Sequence, residues 1–147
     1  MNEDGPVAAV RAIHEVFMRT DAAITGPLAE MGLTTATAQA LWALDPDDEP
    51  PSMKTVATRL HCNAPNLSFV ADQLAARGLV ERVPDPRDRR SRALVLTAKG
   101  EQVRSQVMRT VVEHSPLSAL EPDDIAALLS ILDKVVAVTP RGSAPTS

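Results

Sequence analysis

With 147 residues, 44% of them hydrophobic and 23% charged, the chain can build one domain with its own core, and no shift in composition divides it in two. Aromatics make up 2% with no tyrosine, so the core must come from Ala, Val, Leu, Ile and Met, and the single cysteine, Cys62, rules out a disulfide within the chain. The net charge of -4 argues against nucleic acid until its distribution is read: residues 77 to 104 hold eight basic side chains against four acidic ones, a local +4 on a body carrying -8.

A first amphipathic helix is expected from Pro6 to about Thr25, where Val10, Ile13, Val16, Phe17 and Ile24 recur at three- and four-residue steps, before Pro27 and Gly32 disturb the pattern. A second starts at a Thr34 or Thr35 cap and runs through Ala36, Ala40, Leu41 and Leu44. The acidic, proline-rich stretch Asp45 to Pro51 then reads as a solvated loop. Ser52 caps a short third helix with Met53, Val56, Ala57 and Leu60 on one face. His61 and Cys62 make a tight turn to Asn63, a second cap, and Pro65 falls in the first turn of a fourth helix, where its missing N–H costs nothing. That helix, about 63–77, sets Leu67, Val70, Ala71 and Leu74 inward and stops at Gly78.

Two helices joined by a short turn, the second capped and amphipathic, describe a helix-turn-helix. A hairpin follows at about 79–96: Leu79 to Val83 as one strand, a charged turn from Asp85 to Arg90, and Ala93 to Leu96 returning. Its tip is rich in arginine, which a solvent-facing hairpin does not need for its own stability. A long helix with Val103, Val107, Val111 and Val112 runs on to Pro116, another with Ile125, Leu128, Leu132 and Val136 begins near Glu121, and the small, polar tail 139–147 is expected to be disordered. The fold class is mainly α with a small β-hairpin wing. Within that one structural domain, 1–32 and 101–138 serve as flanking dimerisation helices and 33–100 as the winged helix-turn-helix.

The segments Gly78-Leu79-Val80-Glu81-Arg82, Asp85-Pro86-Arg87-Asp88-Arg89-Arg90 and Leu96-Thr97-Ala98-Lys99-Gly100, in this order and spacing, resemble the MarR family of bacterial transcriptional regulators. The resemblance implies a homodimer with interlocked terminal helices and one winged helix-turn-helix per subunit reading a palindromic site. The residues agree on the dimer, because apolar helices at both ends exceed what a small winged domain can bury alone. Paired recognition helices would enter successive major grooves roughly 34 Å apart. The function expected is that of a sequence-specific regulator of double-stranded DNA, a ligand-responsive repressor rather than an enzyme, with a winged-helix module for protein contact as the alternative.

Candidate DNA contacts begin at the start of the fourth helix, Asn63, Ala64, Pro65 and Asn66, and continue along its groove face, where about 100° per residue places Pro65, Ser68, Phe69, Asp72 and Ala76 opposite Leu67. Asn66 suits adenine, Ser68 a base or phosphate, and Phe69 a thymine methyl. Phe69 departs from the basic or polar residue common in relatives, and packing against the wing is its other expected role. Asp72 would repel phosphate and is expected to hold a wing arginine. Arg87, Arg89, Arg90 and Arg92 are assigned to phosphate and the minor groove, Arg89 and Arg90 above Arg87, with Asp88 steadying one of them.

The family's effectors suggest a small aromatic or anionic ligand, with His14, Phe17, Met18, Met31 and Trp42 as candidate lining and plain core packing as the competing reading. Cys62 is read as packing in its turn. The spacing of His14, His61, Cys62 and His114 suits no metal, and no cofactor or catalytic motif is present. The N-terminus lacks a signal-peptide pattern and no apolar run approaches the ~20 residues of a membrane span, so a cytoplasmic protein is expected.

Overall fold

The computed structural model describes residues 4–138, which form six α-helices and one antiparallel hairpin; the expected tail at 139–147 lies outside the described residues. None of the helices is long and apolar enough to cross a membrane.

Helix α1 spans Gly5–Glu30 and carries Pro27 inside it, so it outruns its expected end by more than a turn. The lost amide bond at Pro27 is outweighed by packing, since Leu28 on the same turn is fully buried and Ile24 nearly so. The helix closes where Gly32 takes a left-handed φ of 71° and the Leu33 N–H reaches back to the Leu28 carbonyl at 2.8 Å. Arg77, far along the chain, donates to the free carbonyls of Met31 and Gly32 at 2.8 Å each, placing a cation at the negative end of α1.

Helix α2, Thr35–Trp42, is capped by Thr34, whose hydroxyl accepts the Thr37 N–H while Thr37 Oγ1 accepts the Thr34 N–H. Helix α3, Met53–Arg59, is capped by Ser52, and α4, Ala64–Ala76, by Asn63. Between α3 and α4 His61 adopts a φ of 51°, and the Cys62 N–H bonds the Ala57 carbonyl at 3.0 Å, which ends α3 sharply.

Strand β1, Val80–Asp85, pairs with β2, Asp88–Leu96, from Val80↔Leu96 down to Asp85↔Asp88, with an irregularity at Pro84 and Asp85. Ser52 adds a bridge to Ala93, and the Leu94 N–H donates to the Pro51 carbonyl at 3.0 Å, tying the hairpin's root to the start of α3. Helix α5, Ala98–His114, leads through a 3-10 turn at Pro116–Ala119, which periodicity did not suggest, into α6, Pro122–Val136.

The core sits under the hairpin and between α1, α2, α4 and α5. Leu28, Leu41, Val56, Leu67, Leu74, Leu79, Leu94 and Val107 are buried there. Both ends of the chain contrast with it. Val7, Val10 and Ile13 of α1 and Leu129, Ile131, Val135 and Val136 of α6 are all more than half exposed.

Candidate nucleic-acid interface

Helix α4 buries Leu67, Ala71 and Leu74 and leaves Pro65, Asn66, Ser68, Phe69, Asp72 and Ala76 exposed, as the helical period required. Its first turn is rigid: Asn63 Oδ1 accepts the Asn66 N–H at 3.0 Å and Pro65 fixes the backbone beside it. Asn63 and Ala64 are exposed at this end.

The two sides of α4 differ. On the wing side Asp72 pairs with Arg82 of β1, and Arg82 Nη2 also donates to the Ser68 carbonyl at 2.9 Å and to Ser68 Oγ at 3.3 Å. The expected partner of Asp72 is therefore present, and it is Arg82, which sequence reasoning did not single out. Phe69 turns the other way. It lines a groove of about 420 Å³ with Asn66 and Val70 of α4, the cap Thr34 and Ala36 at the start of α2, and Cys62. The packing of Phe69 against the wing is thus corrected: one residue past Ser68, the helix has already rotated the ring to the α2 side. Cys62 is half-buried in this groove and packs against the core.

The hairpin turn is shorter than expected. Only Pro86 and Arg87 lie between the strands, so Arg89, Arg90 and Arg92 belong to β2 rather than to a loop. Asp85 is the buried post of this turn, 4% exposed, and accepts the Arg87 N–H at 3.0 Å and Arg87 Nε at 2.9 Å. These two bonds, the side-chain one foremost, hold its carboxyl below the ordinary value of 3.8. The Arg87 guanidinium also donates to the Pro50 carbonyl at 2.7 Å, so it is occupied in joining the wing to the preceding loop.

Asp88 does not hold a guanidinium. Its carboxylate accepts the Arg90 backbone N–H at 3.0 Å and the Ser91 hydroxyl at 3.3 Å, a local turn bond that a short acid two residues back forms most readily. Arg89, Arg90 and Arg92 are exposed, and no hydrogen bond or ion pair engages their guanidinium groups among the described residues. Strand alternation sets Arg90 and Arg92 on one face and Arg89 on the other, so the free cations straddle a hairpin whose first strand contacts α4.

Behind the wing the segment from Thr97 to Gly100 grips the end of α4. Thr97 Oγ1 donates to the Gly78 carbonyl at 2.6 Å, the Thr97 N–H to Leu79 at 3.1 Å, and Lys99 Nζ to Arg77 at 3.2 Å. Gly100 sits so close to this strand that a Cβ there would lie 1.9 Å from the Leu79 carbonyl oxygen. The resemblance motifs on either side of the wing therefore meet in space.

Of the candidate ligand residues, Phe17 and Trp42 line a cavity of about 280 Å³ between α1, α2 and α5, with Asp21, Ile24, Val107 and Val111. His14, Met18 and Met31 are not among its lining residues; His14 and Met18 are exposed on α1 and Met31 packs against the core. Sequence reasoning missed Asp21, although its place four residues after Phe17 on the same helical face was visible. Among the described residues no three His, Cys, Asp or Glu side chains gather as a metal site.

Residues 31–91, from the end of α1 through most of the wing, match the MarR family model. Among solved structures, the transcriptional regulator BldR from Sulfolobus solfataricus is 28% identical with a TM-score of 0.76, covering 93% of this chain and 99% of that one. The transcriptional repressor CouR, solved bound to a 23-mer DNA duplex, is 28% identical with a TM-score of 0.70, over 92% of this chain and 99% of its own. The reduced form of MarR from E. coli is 26% identical with a TM-score of 0.70 over the same shares, 92% and 99%. No curated protein matches the chain in sequence. Over residues 31–91 the chain is similar to the MarR family, and as a whole it shares the fold of these solved transcriptional regulators.

Proposed function

We propose that this protein is a sequence-specific regulator of transcription that binds double-stranded DNA as a homodimer, represses by occluding a palindromic operator, and releases it when an effector binds. The observation that carries the reading is the pairing of an exposed, rigidly capped α4 with three unengaged arginines on β2. No hydrogen bond or ion pair among the described residues occupies the guanidinium groups of Arg89, Arg90 and Arg92, and a net-acidic protein that concentrates free cations on a hairpin joined to a helix sized for the major groove is arranged for phosphate. The complex of CouR with a DNA duplex supports it by likeness. Asn66 and Ser68 supply the polar groups for base edges, and Phe69 an apolar one on the α2 side.

The dimer is supported by the uncovered apolar faces of α1 and α6, which together exceed what a soluble monomer ordinarily leaves in water. A two-fold through them sets two α4 helices against successive grooves, roughly 34 Å apart. The effector site is the cavity between α1, α2 and α5: it adjoins both the helices assigned to the dimer and the α2 support of α4, so filling it can change the spacing of the two recognition helices. Such a regulator works in the cytoplasm, with the DNA it controls.

Selection of duplexes from a random pool tests the assignment. Enriched sequences with two inverted half-sites one helical turn apart are expected, together with a dimer mass by sedimentation equilibrium. A pool that fails to enrich, or a monomer that binds DNA as tightly as any assembly, contradicts it.

A further inference from the structure

We propose that the cavity between α1, α2 and α5 takes a hydrophobic organic cation, its apolar body between Phe17 and Trp42 and its ammonium on the Asp21 carboxylate. The inference rests on the effector reading above for its regulatory consequence, and on the cavity's own chemistry for the ligand's charge.

Three observations converge. The whole chain has three aromatic side chains, and two of them, Phe17 and Trp42, line this one cavity. In the single chain both are partly exposed, at 56% and 42%, so their faces are not consumed by the chain's own core. Asp21 is the one charged residue of the lining. Asp21 is half-buried as a residue, and its carboxylate has no hydrogen-bond or ion-pair partner among the described residues.

A carboxylate partly withdrawn from water without a partner is unfavourable, and a guest bringing a positive charge relieves that cost. Aromatic faces act in the same sense, because their negative centres attract cations and repel anions. The rest of the wall, Ile24, Val107 and Val111, is aliphatic and suits an apolar body.

No side chain of the lining offers a positive charge to an anion. Arg104, on the same helix as Val107, donates through Nη2 to the Trp42 carbonyl at 3.3 Å and keeps a buried Nε without a partner, but it does not line the cavity. Thr20 contributes a hydroxyl that is already donated to the Val16 carbonyl at 2.8 Å. The family's preference for small aromatic acids, carried over from resemblance, thus meets the opposite polarity in this chain.

Trp42 is the only tryptophan and there is no tyrosine, so intrinsic fluorescence reports on the surroundings of Trp42, and the Asp21 variant assigns the signal to this cavity. The full-length protein is titrated at pH 7 with benzylamine, benzyl alcohol and benzoate, which share a ring and differ in charge, by Trp42 fluorescence and by calorimetry. Benzylamine is expected to bind roughly tenfold tighter than benzyl alcohol, with benzoate weakest. In Asp21→Asn, checked for native helicity and melting, benzylamine should fall to the level of the alcohol while the alcohol is unchanged.

Binding of the alcohol without preference for the amine, or tighter binding of benzoate, overturns the charge assignment and leaves the effector cavity standing. Absence of binding by all three overturns both. An amine preference that survives in Asp21→Asn removes Asp21 from the site.

Discussion

Gly100 shows how a single backbone atom can decide a substitution. Alanine is the better helix former by roughly 1 kcal/mol, and Gly100 lies in the first turn of α5, so propensity alone predicts that Gly100→Ala stabilises. The clash decides otherwise, because the new Cβ would meet the backbone of Leu79, oxygen at 1.9 Å and carbon at 2.9 Å, and neither can rotate away. A loss of about 2–4 kcal/mol is expected by denaturant unfolding; a stabilised variant would mean that the wing root and α5 separate freely. Asp85 offers a second test at this scale. Its carboxyl is held below 3.8 by the two bonds from Arg87, so ionisation is easier folded than unfolded. Stability from the ionised group is therefore present above pH about 3.8 and is lost as the pH falls through the depressed folded value. Asp85→Asn should narrow its stability gap from the parent in that acid range and keep it constant above about pH 5. A gap unchanged down to pH 2 would contradict the assignment.

Among the elements, the wing is joined to α4 by the Arg82 contacts with Asp72 and Ser68, and to α3 by the Ser52 bridge. Arg82 and Asp72 are 30% and 62% exposed, so Asp72→Asn should cost only about 0.5 kcal/mol in melting experiments. Its larger effect is on charge. Removing a carboxylate from the groove face and releasing Arg82 should tighten binding to non-specific DNA, and weaker non-specific binding would show that the pair is needed to aim the wing. Helix positions, caps and inward faces were legible in the sequence because Ser52, Asn63 and the three- and four-residue steps act locally. What was not legible depends on distant partners. The run of α1 through Pro27 needs the burial of Leu28 and the guanidinium of Arg77, 46 residues beyond Met31. The early start of β2 needs a turn built on a buried Asp85, and the sequence shows an acid there without showing that it is buried. The place of Phe69 on the α2 side was not legible either, because a helical wheel separates inner from outer faces but does not say which neighbour flanks the outer one.

At the scale of the whole molecule, the chain is a winged core with apolar arms, α1 and α6, whose exposed valines, leucines and isoleucines are the support for the dimer proposed above. Charge is divided between a net-positive segment at the wing and a net-negative remainder, which under the proposed function would hold DNA at one face and repel it from the rest. In the proposed dimer each wing residue would count twice, and the phosphates that the wing neutralises are measurable as a slope. DNA affinity of the parent and of Arg90→Ala, followed by fluorescence anisotropy across a salt series, reads the number of phosphates neutralised. Weaker binding to operator and unrelated duplex alike is expected, with the salt slope reduced by about 0.9 for each phosphate no longer neutralised, hence about 1.8 for a dimer. An unchanged slope in Arg90→Ala, with affinity intact, would contradict it.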